Sequence, residues 1–219
     1  LPTLLALTAN SAVYRNTDTG YASWRSVLWA RRPSAGPPPH FDSVDEYDAV
    51  VAMLRDAGAV LDDGMVYWDV RPSATFPTIE VRVADVPATV AETVLLALLV
   101  RATVMTALDE ERQGQPVPAL APHALKAAYW KSARDGLDGE AVDLSEGHHS
   151  VPARLLLDRL VDRVRPALEA VGDFDAVTEE LARVTEQGNG AMRQRRAYQR
   201  RHDVADVIAQ AAAATTSGC

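Results

Sequence analysis

The chain has 219 residues, 47% hydrophobic and 24% charged, with a formal net charge of −8 and a pI near 5.1. That balance fits one large globular domain, or a domain with a helical extension, and argues against a disordered chain. It also disfavours a nucleic-acid partner, because neutralising phosphates needs a basic stripe.

The opening residues 1–7 lack the basic flank of a signal peptide and read as the end of a buried helix. Residues 10–20, rich in Asn, Thr, Asp and Gly, read as a loop, and residues 33–40 as a Pro- and Gly-rich connector. Ser43 and Glu46 form a capping box, followed by Val44, Tyr47, Val50, Val51 and Leu54 at helical spacing; Gly58 ends that helix. The period then shortens to two. Residues 66–71 and 78–84 alternate apolar and polar as half-buried strands do, and Pro72 and Pro77 bracket the loop between them, which predicts an antiparallel pair.

From Pro87 onward the pattern is helical. A second capping box, Thr89 with Glu92, opens a long apolar helix reaching about Arg112. Its most apolar run, 94–100, is bracketed by Glu92 and Arg101 and is too short to span a bilayer, so no membrane insertion is expected. A linker at 116–122 precedes a helix over 123–134 that Gly136 closes. Residues 139–150 read as a polar loop, and 152–171 as a helix kinked at Pro166. Helices over 174–186 and 191–214 complete the chain, separated by Gly188-Asn189-Gly190. The basic cluster Arg193, Arg195, Arg196, Arg200 and Arg201 reads as a solvated or salt-bridged helix face. The single cysteine, Cys219, reads as part of a flexible end and permits no internal disulfide, which suits a reducing cytoplasm.

The strand over 78–84 carries the most chemistry. Ile79, Val81 and Val83 share one face, Glu80 and Arg82 the other. A carboxylate can hold a hard cation such as Mg²⁺, and a guanidinium can fork onto a phosphoryl group. A cross-strand salt bridge on a solvated face accounts for the same pair. In the preceding strand Tyr67, Asp69 and Arg71 alternate with Val66, Trp68 and Val70, so pairing can bring Asp69 and Arg71 onto the same polar face. His148 and His149 lie in the polar loop with no third ligand at metal spacing. Trp24, Trp29 and Trp68 read as core.

Several segments, in order, resemble the bacterial glutamate–cysteine ligases and related carboxylate–amine ligases of the glutamine-synthetase-like superfamily. Thr78-Ile79-Glu80-Val81-Arg82-Val83-Ala84-Asp85 is similar to their Glu-x-Arg-x-x-Asp strand. Ala9-Asn10-Ser11, with the Ser23-Trp24-Arg25-Ser26-Val27-Leu28-Trp29 segment, resembles their Ala-Asn-Ser-Pro loop and Ser-x-Arg-Ser-x-x-Trp segment. Tyr67-Trp68-Asp69-Val70-Arg71-Pro72-Ser73 and Gly190-Ala191-Met192-Arg193-Gln194-Arg195 resemble the carboxylate–amine ligase subgroup. Ala12 departs from the pattern, standing where the family usually has Pro.

The resemblance implies an α+β fold: part of a glutamine-synthetase-like antiparallel sheet with helices over 1–88, then a helical region over 89–219 packing on it. It implies ATP-dependent amide formation between glutamate and an amine such as cysteine, through an acyl phosphate. ATP and Mg²⁺, or Mn²⁺, are the expected cofactors. Glu80 would be a metal ligand, Arg82 and Arg71 catalytic, and Arg25, Asn10, Tyr21 and Asp69 substrate- or phosphate-binding. The family's upstream half, with its acidic metal strand and much of its ATP pocket, has no counterpart in these residues. The chain is therefore expected to be inactive alone, to need that half or another copy, and to form a homo-oligomer in the cytoplasm. The alternative expectation is a catalytically silent subunit serving as a folding or interaction partner.

Overall fold

The computed structural model describes residues 1–118, 120–145 and 147–216; Cys219 lies outside them. Helix α1 (Pro2–Thr8) is buried from Leu4 onward, as its unbroken apolar run requires. It leads into a hairpin of β1 (Val13–Tyr14) and β2 (Thr17–Asp18), turned through Arg15 and Asn16 at φ of 50° and 58°. Two successive left-handed residues are what a tight hairpin turn demands. A short helix α2 (Trp24–Trp29), not expected from sequence, follows because Ser23 caps it, its hydroxyl accepting the Ser26 N–H. Helix α3 (Val44–Asp56) opens on the expected cap, Ser43 Oγ accepting the Glu46 N–H at 3.1 Å.

The expected antiparallel pair forms from β3 (Val70–Pro72) and β4 (Ile79–Val81), both shorter than the alternating pattern suggested. Its register sets Val70 against Val81, Arg71 against Glu80 and Pro72 against Ile79. Pro72 is tolerated because it occupies a non-hydrogen-bonded position opposite Ile79, and beyond it the Ser73 N–H still donates to the Thr78 carbonyl at 2.8 Å.

Helix α4 (Val90–Arg112) is capped as predicted, Thr89 Oγ1 accepting the Glu92 N–H at 3.1 Å. At 23 residues it is long and apolar enough to cross a bilayer by length and composition, contrary to the shorter run read from sequence. In this fold it is a packing helix instead. Leu95, Leu99 and Ala102 enter the core, and Glu92 pairs with Arg183 and Arg193. Helix α5 (Pro122–Asp135) ends at Gly136, whose φ of 70° suits glycine.

Two sequence expectations need correction. The stretch 139–150 contains a hairpin of β5 (Glu140–Val142) and β6 (Ser150–Pro152), with Ala141 and Val151 buried where they oppose each other. One buried apolar residue per strand leaves little periodicity to detect. After α6 (Ala153–Val171), which passes through Pro166 without interruption, and α7 (Phe174–Gln187), the last helix is in fact two. These are α8 (Gly190–Tyr198) and α9 (Val204–Thr216), broken where His202 adopts a φ of 54°.

The fold is thus α+β, with three two-stranded antiparallel sheets among the described residues and a helical C-terminal region. One apolar cluster joins Leu4 and Leu5 of α1, Val83, Leu99 of α4, Leu157 and Leu168 of α6, and Val177 of α7. Burying each such side chain contributes roughly 1.5–3 kcal/mol. A second cluster, Val51, Val66 and Trp68, packs α3 against the segment leading into β3.

Candidate active site

The register of β3 and β4 decides what their polar face holds. Arg71 faces Glu80, and its Nε and Nη2 both donate to Glu80 Oε2, at 3.1 and 2.9 Å. Arg82 Nη1 donates to the same oxygen at 3.2 Å. Arg71 is buried, and its Nη1 also donates to the Asp63 carbonyl at 2.7 Å. Burial alone would raise the Glu80 carboxyl, but the hydrogen bonds from Arg71 and Arg82 outweigh it and hold the group below the usual range. Arg82 keeps its Nε buried without a partner.

Among the described residues no three of His, Cys, Asp and Glu gather where they could hold a metal ion. Glu80 therefore offers one carboxylate, and all three of its guanidinium contacts fall on a single oxygen. Mg²⁺ is commonly held by one or two carboxylates together with phosphate and water. Glu80 fits the role of one such ligand and does not make a metal site alone.

Asp85, the last residue of the ligase-like strand motif, is the structural hub. Its Oδ2 accepts the Asn10 N–H at 2.8 Å and the Ser11 hydroxyl at 2.7 Å. Its Oδ1 accepts the Ser23 hydroxyl at 2.8 Å, and Arg25 Nη1 lies 3.8 Å away. Asn10 is absorbed into the same scaffold: its Nδ2 donates to the Val86 carbonyl and its Oδ1 accepts from Gln194 Nε2. A Cβ at Gly190 would stand 2.1 Å from Asn10 Oδ1, so α8 can approach only as glycine. Ala12 donates its N–H to Gln194 Oε1 at 3.0 Å, a bond that a proline there would lack.

A cavity of about 610 Å³ opens beside this scaffold, between α2, the connector after it, and α5. Arg25, Tyr21 and Asp69 line it, as do Arg31, Arg32, Lys126, Tyr129 and Trp130, which sequence reasoning did not single out. Trp29, expected as core, forms part of its wall. Arg32 sits 3.9 Å over the Trp29 ring, a cation–π contact, while Tyr21 accepts a hydrogen bond from Trp130 Nε1 at 3.1 Å. The other expected residues lie elsewhere: Arg71, Glu80 and Arg82 form the adjoining ionic cluster, and Asn10 belongs to the Asp85 scaffold. Arg25 bridges cavity and cluster, its Nη2 donating to the Arg82 carbonyl at 3.0 Å.

The cavity's electrostatics invert those of the whole chain. Four cations, Arg25, Arg31, Arg32 and Lys126, surround one carboxylate, Asp69, in a protein of net charge −8. Among the described residues Arg31, Arg32 and Lys126 have no carboxylate partner. Asp69 is only 6% exposed, and its carboxylate has neither a hydrogen bond nor an ion pair among those residues. Burial pushes it up to about 6, with Arg25 pulling the other way. The Tyr129 hydroxyl and Trp29 Nε1 are also buried without partners. Burial and then the Asp69 charge push the Tyr129 hydroxyl up. Such a site suits a compact ligand carrying negative charge and polar atoms.

Comparison with known proteins gives the arrangement a lineage. The model of glutamate-cysteine ligase family 2 (GCS2) matches residues 1–210. A Mycolicibacterium vanbaalenii protein provisionally named glutamate–cysteine ligase 2-2 is 72% identical over 215 residues, covering 98% of this chain and 59% of the relative. A Mycolicibacterium smegmatis protein provisionally named glutamate–cysteine ligase 2-3 is 68% identical over 212 residues, covering 97% of this chain and 58% of its own length. A Nocardia farcinica protein provisionally named glutamate–cysteine ligase 2-1 is 59% identical over 219 residues, covering all of this chain and 57% of its own. The chain spans a little under three-fifths of the length of these relatives. It belongs to glutamate-cysteine ligase family 2.

Proposed function

We propose that this chain forms part of a cytoplasmic ATP-dependent carboxylate–amine ligase that joins glutamate to an amine such as cysteine. The observation that carries the reading is the Arg71–Glu80–Arg82 cluster beside a cavity rimmed by Arg25, Arg31, Arg32 and Lys126. Amide formation from a carboxylate needs a better leaving group, and phosphorylation by ATP supplies one. That step depends mainly on positioning and charge neutralisation.

Glu80 would hold Mg²⁺ or Mn²⁺ as one carboxylate ligand, the ion when bound offsetting phosphate charge. Arg82, its side chain partly exposed while Nη1 holds Glu80, presents a guanidinium suited to a phosphoryl oxygen. Arg71 fixes Glu80, so its catalytic contribution is to aim the carboxylate rather than to touch substrate. Arg25, anchored on the Arg82 carbonyl, would clamp the substrate carboxylate next to the ionic cluster. Tyr21 and Asp69 shape the cavity, and Asn10 holds the loop that carries Arg25's neighbours. The remaining metal ligands and nucleotide contacts would come from the part of the enzyme that these residues do not span, or from a second copy in a homo-oligomer.

One observation favours a second reading, a catalytically silent partner subunit. Glu80 is already neutralised by two guanidiniums, as in a structural network. The experiment that separates the two is phosphate release from ATP with glutamate and cysteine, for the chain alone and joined to the upstream portion of the relatives. Release dependent on both amino acids, abolished by Glu80→Ala, supports the ligase. Release unaffected by Glu80→Ala refutes the site.

A further inference from the structure

We propose that Asp69 is the proton acceptor for the amine nucleophile in this ligase. The inference rests on the ligase reading above and gives the cavity a chemical task within it.

Three observations converge on one spot. Asp69 is a nearly fully buried carboxylate lining the 610 Å³ cavity, yet nothing in the described protein donates to it. Other buried acids of this chain are engaged: Asp85 accepts three hydrogen bonds, Glu92 two arginines, and Asp143 a serine and Arg159. Two residues lining the same cavity, Tyr129 and Trp29, have a polar atom buried without a partner, Oη and Nε1 respectively. Buried polar groups are rarely left unpaired, and a group of them around one void marks a ligand's place.

The groups facing Asp69 are Arg25 from α2, Arg82 just beyond β4 and Tyr129 from α5. Burial dominates over these charges and holds the acid at about 6, close to the range where a carboxylate exchanges protons near neutrality. Arg25 and Arg82 keep the ionised form accessible, and they would also disfavour a protonated amine beside them.

The neutral amine attacks the acyl-phosphate carbon, forming the C–N bond and placing a positive charge on nitrogen. Asp69 removes one N–H proton as the C–O bond to phosphate breaks, and the electron pair departs with inorganic phosphate. The amide is left neutral, and Asp69 returns its proton to phosphate or solvent.

The test compares two nucleophiles in the full-length ligase. Hydroxylamine is weakly basic and needs little help in losing its proton, whereas the amine of cysteine needs more. Asp69→Asn is expected to lower kcat with cysteine by about 100-fold or more, within the usual range for general-base catalysis. With hydroxylamine the loss should be under tenfold, and the acidic limb of the pH–rate profile should disappear. Hydroxamate formation also demonstrates that the variant is folded. A rise in KM for cysteine with kcat unchanged would make Asp69 a binding residue and overturn the proposal, as would equal losses with both nucleophiles. Absence of ATP-dependent hydroxamate in wild-type enzyme would instead overturn the ligase reading, and the role of Asp69 with it.

Discussion

Removing the carboxylate of Asp85 should damage the fold more than removing any residue of the ionic cluster. Asp85 is 3% exposed and accepts hydrogen bonds from the Asn10 N–H, the Ser11 hydroxyl and the Ser23 hydroxyl at 2.7–2.8 Å. Asp85→Ala leaves three donors without their acceptor. Bonds to a charged group contribute roughly 1.5–3 kcal/mol each, and they do not sum fully, because Ser23 can still turn to Ser26 Oγ at 2.9 Å. A loss of about 3–5 kcal/mol follows, which for a chain of this size lowers Tm by roughly 10 °C. Asp85→Asn retains the shape and one acceptor oxygen and should lose about half as much. The assay is thermal unfolding followed by circular dichroism, with Glu80→Ala as the reference. If Asp85→Ala melts within 2–3 °C of wild type, roughly the shift of a 1 kcal/mol change, Asp85 does not anchor the loop.

Residue Asp85 also marks the limit of what the sequence discloses. Its place at the end of the ligase-like strand was legible, yet its partners lie 62–75 positions away, in a loop that packs against α8. The antiparallel pairing of β3 with β4 was legible from period-two alternation and flanking prolines; the facing of Arg71 and Glu80 required the register. The helix caps at Ser43 and Thr89 were local signals and formed as expected. The cavity was not legible, because Arg31 and Arg32 come from an irregular connector and Lys126, Tyr129 and Trp130 from a helix some 90 residues later. Adjacent arginines following Trp29 in an acidic chain were the one available hint. Asn10 was expected to bind substrate or phosphate; in the fold its amide donates to the Val86 carbonyl and accepts from Gln194.

Stability should respond to pH through Asp69. Its carboxyl lies at about 6 in the fold against an ordinary 3.8, so between these values the folded chain binds more protons than the unfolded one. Unfolding free energy therefore falls as pH rises through that window, by on the order of 3 kcal/mol at most. Asp69→Asn should accordingly melt several degrees above wild type at pH 7.5, the gap narrowing toward pH 4; a variant less stable at pH 7.5 refutes the assignment. Anion binding provides a further check. Inorganic pyrophosphate should quench the tryptophan fluorescence of Trp29 and Trp130, and Arg32→Ala with Lys126→Ala should weaken that binding about tenfold or more, by removing two of four cations. Quenching unchanged in the double variant excludes the cavity as the anion site. Arg82→Lys should reduce turnover at least tenfold, because an ammonium cannot reproduce the planar fork; steady-state kinetics showing wild-type kcat would remove Arg82 from phosphoryl transfer.

The most direct test of ligase chemistry in this family member is the fate of a carboxylate oxygen. Glutamate labelled with oxygen-18 in its side-chain carboxylate is supplied to the full-length enzyme with ATP and cysteine, and the released inorganic phosphate is analysed by mass spectrometry. Activation through an acyl phosphate predicts one labelled oxygen transferred into each phosphate formed with the amide. Amide formation accompanied by unlabelled phosphate, or proceeding without ATP, would contradict the account.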